Sequence, residues 1–143
     1  MLVKKLREDA IIPTIAYDDD AGFDVYAIED DILYPGESRQ YKLGIAIEIE
    51  IDEVAIISER SGMAIKYGIT SIGNIIDSGY RGEISIILTN IVGDHDQRRR
   101  LSINKGDKIG QIVVCKLGSR EILEVDKLSN SIRGSKAHNS SGK

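Results

Sequence analysis

The sequence predicts an all-β fold, a barrel or jelly-roll-like sandwich. Three observations carry that expectation: apolar residues alternate with period two, the alternating runs are short, and turn residues separate them. The alternation is clearest at Gly44-Ile45-Ala46-Ile47-Glu48-Ile49-Glu50-Ile51, where four isoleucines fall on one face and Ala46, Glu48 and Glu50 on the other. That pattern suits a half-buried antiparallel strand.

From the N-terminus, the other strand-like runs are Leu2 to Leu6, Phe23 to Ala27, Val54 to Ser58, Glu83 to Ile91, Lys108 to Lys116 and Glu121 to Val125. Turn signals fall between them at Tyr34-Pro35-Gly36-Glu37, Lys105-Gly106-Asp107 and Leu117-Gly118-Ser119. Only Met63 to Tyr67 reads as a helical turn. Ile75-Ile76 and Glu83 to Leu88 flank Asp77-Ser78-Gly79, so a tight hairpin is expected there, with Asp77 held at its edge. The segment 129–143 contains five serines, two glycines and almost no apolar residue. Such a tail buries too little surface to order itself. The expected organisation is a β-barrel domain over 1–128 and a flexible C-terminal arm over 129–143.

A chain of 143 residues holds one domain with a real core and is too short for two typical ones. Its hydrophobic fraction of 41% with 29% charged residues is ordinary for a soluble globular protein, and no apolar run is long enough to span a bilayer. The N-terminus shows basic residues without the apolar segment of a secretory signal. A single cysteine, Cys115, excludes an intrachain disulfide and suits a reducing cytoplasm, where it serves as a small hydrophobe in a strand. The net charge of −4 argues against duplex DNA as a ligand. Arg98-Arg99-Arg100 follows Asp94, His95 and Asp96, so that stretch reads as a solvated hairpin loop rather than a nucleic-acid patch.

With the strands set aside, five polar patches remain: Asp20-Ala21-Gly22-Phe23-Asp24-Val25, Glu59-Arg60-Ser61-Gly62-Met63-Ala64, the segment around Asp77, Gly106-Asp107-Lys108-Ile109-Gly110-Gln111, and Arg133 to Gly142. Their chemistry is complementary. Arg60 and Ser61 precede a glycine and a helical turn, so a guanidinium, a hydroxyl and free N–H groups can converge on phosphate, although the same residues also suit a solvated helix start. Asp20, Asp24 and Asp77 are acids that can hold Mg²⁺ through water or aim an attacking water, although Asp77 alone is equally ordinary turn chemistry. Arg133, Ser140 and Ser141 are residue types that can fold around a polyphosphate. There is no Cys/His set for zinc. His95 and His138 lie in no nucleophile motif, which argues against a Ser-His-Asp hydrolase.

In order and separation, the five patches resemble the five motifs of the trimeric dUTP pyrophosphatase (dUTPase) family, from about Asp20 to Gly142. The resemblance implies a jelly-roll-like distorted barrel and a homotrimer with shared active sites. It implies Mg²⁺-dependent hydrolysis of dUTP to dUMP and pyrophosphate, which limits uracil incorporation into DNA and supplies dUMP. Asp77 matches the general base for the water that attacks the α-phosphorus. Tyr80 matches the ring beneath the deoxyribose, and backbone at Asn74 and Ile75 would read the uracil edge. Arg60, Ser61, Gly62 and Gln111 match phosphate ligands, and Asp24 matches an acid that acts on the metal through water.

The sequence also departs from the family. His138 stands where an aromatic ring usually stacks on uracil, flanked by Ala137 and Asn139 in place of glycines. Glu59 replaces a common proline, and Gly79 replaces a frequent acid. The related dCTP deaminases need a glutamate where this chain has Ile87 and an arginine where it has Ile65, which argues against deamination. A dUTPase-like scaffold acting mainly by binding a protein partner is the remaining alternative, suggested by the altered fifth motif and the polar segment from Gly93 to Arg100.

Overall fold

The computed structural model describes residues 1–93, 99–132, 134 and 135. Among them, eleven strands and one short helix run in the order β1 (Leu2–Lys5), β2 (Phe23–Tyr26), β3 (Asp31–Leu33), β4 (Ser38–Lys42), β5 (Ile45–Glu48), β6 (Glu53–Ser58), α1 (Ser61–Tyr67), β7 (Ile69–Ile72), β8 (Ile75–Asp77), β9 (Ser85–Asn90), β10 (Leu101–Ile103) and β11 (Lys108–Lys116). The fold is all-β and jelly-roll-like. Every pairing is antiparallel: a four-stranded sheet ordered β2-β11-β6-β8, a three-stranded sheet ordered β4-β9-β7, and the two-stranded pairs β1-β5 and β3-β10.

The inward faces close over one aliphatic core. Val25, Leu33, Ile45, Ile57, Ile69, Ile86, Leu88, Ile103, Ile109 and Ile112 are all buried, each contributing about 1.5–3 kcal/mol by leaving water. Branched side chains at alternate positions suit the pleat and leave few rotamers to freeze. Asn90 is the fully buried polar residue at the end of β9, and its side chain is satisfied. Its Nδ2 donates to the Arg99 carbonyl at 2.9 Å, and its Oδ1 accepts from the Val92 N–H at 3.2 Å. Arg99 in turn donates to the carbonyls of Ile65 and Lys66, which lie in the last turn of α1.

Several sequence expectations need correction. The isoleucine run forms a strand only to Glu48; Ala46 is buried along with Ile45, Ile47 and Ile49, and Ile51 is 77% exposed. A turn ends that strand, with the Glu50 N–H donating to the Glu53 carboxylate and the Glu53 N–H to the Glu50 carbonyl. Glu121 to Val125 is irregular, since no described strand lies alongside it, and Ile122 is 96% exposed. The tight hairpin at Asp77 does not form either. β8 pairs with β6, whereas β9 pairs with β4 and β7, so the chain crosses between sheets after Asp77. Hydrogen bonds between Ile84 and both Leu43 and Ile45 draw the crossing toward β5.

Candidate active site

The four-stranded sheet carries acids at two separate ends. At one end Asp24 (β2), Gln111 (β11) and Ser58 (β6) lie in one row, because Gln111 is in register with Asp24 on one side and Ser58 on the other. Two residues beyond Ser58, Arg60 leads into α1 in extended conformation, with no side-chain cap. The N–H groups of Ser61 and Gly62, first in the helix, therefore have no intrahelical acceptor. Asp24 is 8% exposed and sits between two cations, Arg60 Nε at 3.3 Å and Lys108 Nζ at 2.7 Å. The hydrogen bond to Asp24 holds the Lys108 ammonium above the usual lysine range. Gln111 packs against Gly22, where any Cβ would lie 2.7 Å from Gln111 Oε1. A side chain there would displace the amide.

At the other end, Asp77 is the last residue of β8, in register with Val54 of β6, which is in register with Cys115 of β11. Its carboxylate is exposed and makes no hydrogen bond or ion pair among the described residues. Its backbone is fixed, because the Tyr80 N–H donates to the Asp77 carbonyl at 3.0 Å and Arg81 donates to the carbonyls of Ser78 and Tyr80. Tyr80 is 48% exposed, and its hydroxyl donates to the Glu83 carbonyl at 3.1 Å. The ring lies so close to Gly82 that a Cβ there would approach Tyr80 Oη to 2.4 Å. β8 is the edge strand of its sheet, so the backbone groups on its outer side have no strand partner among the described residues. The Asn74 carbonyl accepts from the Ile57 N–H at 2.9 Å, and Asn74 Oδ1 is buried with no hydrogen-bond partner among the described residues.

The register sets the distance between the two ends. Asp77 lies level with Cys115, four residues along β11 from Gln111 and two strands away, which places the two Cα atoms roughly 16 Å apart. One chain thus gathers Asp24, Arg60, Ser61, Gly62 and Gln111 at one end and Asp77 and Tyr80 at the other, while Asn74, bonded to Ile57, and Ile75, opposite Ile56, lie along β8 between them. Arg133, His138, Ser140 and Ser141 lie outside the described residues. Lys108 is the residue of this site that sequence reasoning missed; it stood inside a recognised patch, but its partner Asp24 is far away in the chain. Among the described residues, no group of three or more His, Cys, Asp or Glu side chains could hold a metal ion, and no helix is long and apolar enough to cross a membrane. Ile87, where a deaminase would need its acid, lies in β9 opposite Gln40 and Ile72.

A family model described as dUTPase matches residues 8–142. Deoxyuridine 5'-triphosphate nucleotidohydrolase from Nautilia profundicola is 40% identical over 143 residues, covering 99% of this chain and 97% of the relative. The enzyme of the same name from Clostridioides difficile is 42% identical over 142 residues, covering 98% and 96%. Among solved structures, the dUTPase of Staphylococcus bacteriophage 80alpha with dUPNHPP superposes with a TM-score of 0.91 at 27% identity, covering 99% of this chain and 98% of that one. A mutant dUTPase from phage phi11 of S. aureus, described with a structural Mg(II) ion, gives a TM-score of 0.81 at 26% identity, covering 88% and 96%.

Proposed function

Since the chain belongs to the dUTPase family, we propose how its own residues carry out the hydrolysis of dUTP. The observation that supports the reading best is the contrast between its two aspartates: Asp24 is neutralised by Arg60 and Lys108, while Asp77 presents a free carboxylate on a fixed turn. Asp77 accepts a proton from a water held in line with the α-phosphorus, the water oxygen bonds to that phosphorus, and pyrophosphate departs, leaving dUMP. The Tyr80 ring, seated over Gly82, packs beneath the deoxyribose and leaves no room for a 2′-hydroxyl. The outer edge of β8, at Asn74 and Ile75, reads the uracil edge through backbone groups in a slot too narrow for a thymine methyl.

Arg60, Ser61, Gly62 and Gln111 bind the phosphates, with Arg60 shifting part of its charge from Asp24 to the nucleotide. Within one chain the register leaves the Cα atoms of Asp77 and Gln111 roughly 16 Å apart. That separation supports a site built from the phosphate end of one chain and the Asp77 end of another, as in a homotrimer with shared sites. The residues fit Mg²⁺ that keeps its waters and enters on the triphosphate, with Asp24 reached through water, rather than a metal caged by protein. When bound, the ion would offset the charge developing on the phosphoryl oxygens. The barrel over 1–128 carries these groups, and the arm over 129–143 brings Arg133, His138, Ser140 and Ser141 over the nucleotide, with His138 stacking on uracil. The absence of a membrane-spanning helix among the described residues and the lone Cys115 favour a cytoplasmic enzyme.

The test is to supply Mg²⁺ with each nucleoside triphosphate in turn and to follow pyrophosphate and base separately. Efficient cleavage of dUTP alone is expected. Equal turnover of dCTP or dTTP would contradict the assignment.

A further inference from the structure

Glu59 immediately precedes Arg60, and its side chain is not directed at a cation. The N–H and the hydroxyl of Ser71 both donate to Glu59 Oε2, at 3.0 and 2.5 Å, and the Glu59 N–H donates to Ser71 Oγ at 3.3 Å. The contact is closed in both directions, since the Ser71 hydroxyl accepts from the backbone of Glu59 and donates to its carboxylate. Ser71 is buried in β7, and Glu59 is half-buried just beyond β6. The pair therefore joins the three-stranded sheet to the four-stranded sheet where α1 begins. A half-buried carboxylate so near a phosphate-binding arginine works against anion binding unless it serves another end.

We propose that Glu59 and Ser71 form a positioning latch that fixes the backbone of Arg60, Ser61 and Gly62 for the β- and γ-phosphates. The inference rests on the assignment of those three residues to the phosphates. Arg60 has no side-chain cap of its own to hold the corner, and its other anchor is Asp24 at 3.3 Å. That anchor weakens once the guanidinium turns to the nucleotide. The latch holds the corner independently of Asp24, so Arg60 can exchange partners while the N–H groups of Ser61 and Gly62 stay in place. Proline at this position, common in the family, would fix the same backbone through its ring. Here three hydrogen bonds to a residue twelve positions on do that work.

The test compares Glu59→Ala, Ser71→Ala, the double variant, Glu59→Gln and Glu59→Pro in the full-length chain with Mg²⁺. For each, KM and kcat for dUTP are measured, along with the affinities for dUMP and for α,β-imido-dUTP. Either alanine variant should raise KM about tenfold and weaken the imido analogue alike, with kcat and dUMP affinity changed less than about twofold. The double variant should lose less than the product of the two single losses, because the bond between the Ser71 hydroxyl and the Glu59 carboxylate is removed by either substitution. Glu59→Gln, which keeps an oxygen acceptor, and Glu59→Pro, which restores backbone restraint, should each recover most of the loss. Equal weakening of dUMP and analogue would mean general loosening of the fold and would overturn the proposal, as would unchanged KM in both alanine variants. If Glu59→Ala does not fold, the ratio of dUMP to analogue affinity in Ser71→Ala decides by the same criterion. Failure of the wild-type chain to cleave dUTP would instead overturn the assignment beneath it.

Discussion

The two ends of the β2-β11-β6-β8 sheet hold aspartates in opposite circumstances. Asp24 is buried and ion-paired on both oxygens, while Asp77 is exposed and its carboxylate makes no hydrogen bond or ion pair with any described residue. An acid paired with two cations organises positive charge around it. An acid free of partners on a turn fixed by its own backbone can take up water and its proton. Position in the sheet therefore gives the same side chain two different surroundings, and the proposed division into an electrostatic and a chemical role rests on that difference.

The largest expected effect follows from that separation. Asp77→Asn should lower kcat about a thousandfold while leaving thermal unfolding essentially unmoved, since no described hydrogen bond or ion pair is lost. Steady-state kinetics with a thermal scan on the same preparation checks this, and a large drop in melting temperature would erase the contrast. Asp24→Asn should do the reverse in kind. It releases Arg60 and Lys108 from a shared carboxylate, costs about 2 kcal/mol in a denaturant titration, and weakens triphosphate binding without abolishing turnover.

Gly82→Ala sharpens the Asp77 end alone. The added methyl displaces the Tyr80 ring, so kcat/KM for dUTP should fall about tenfold and discrimination against the ribonucleotide should narrow. Competition between dUTP and UTP measures it.

The smallest effect belongs to a control group outside both sets of candidate site residues. Burial pushes the Asp31 carboxyl up, but the Tyr41 hydroxyl at 2.8 Å and the Arg39 guanidinium outweigh it and hold the group below the usual carboxylate range. The folded state then binds its proton less readily than the unfolded chain. The contribution is complete above about pH 5 and is lost as pH falls through the ordinary carboxylate range toward the lower folded value. Asp31→Asn should cost about 1 kcal/mol at pH 7, and the difference from wild type should shrink as pH falls below the ordinary carboxylate range, in paired urea titrations.

Long apolar runs were legible in the chain itself, and β11 spans the run from Lys108 to Lys116, whereas the clearest alternation, Ile45 to Ile51, forms a strand only to Glu48. β3, β7 and β10 were not read from the sequence, and β4 was hidden because it reads Ser-Arg-Gln-Tyr-Lys, polar throughout except for Tyr41. The Asp77 turn was misread as a hairpin because local sequence shows that a turn exists, not which sheet the next strand joins. The candidate phosphate segment Arg60-Ser61-Gly62 stood out because its residues are adjacent in the chain. Lys108, Glu59 and Gly22 act through Asp24, Ser71 and Gln111, partners that only the fold brings near.

The central claim is that the Asp77 end of one chain serves the phosphate end of another. Mixing two variants, Asp77→Asn and Arg60→Ala, each inactive alone, unfolding them together and refolding at equal amounts tests it directly. If the ends belong to different chains, random assembly leaves about a quarter of the sites with both residues intact, and activity should return to about a quarter of the wild-type level. No recovery in mixed assemblies of confirmed composition would place both residues in one chain's site and contradict the account.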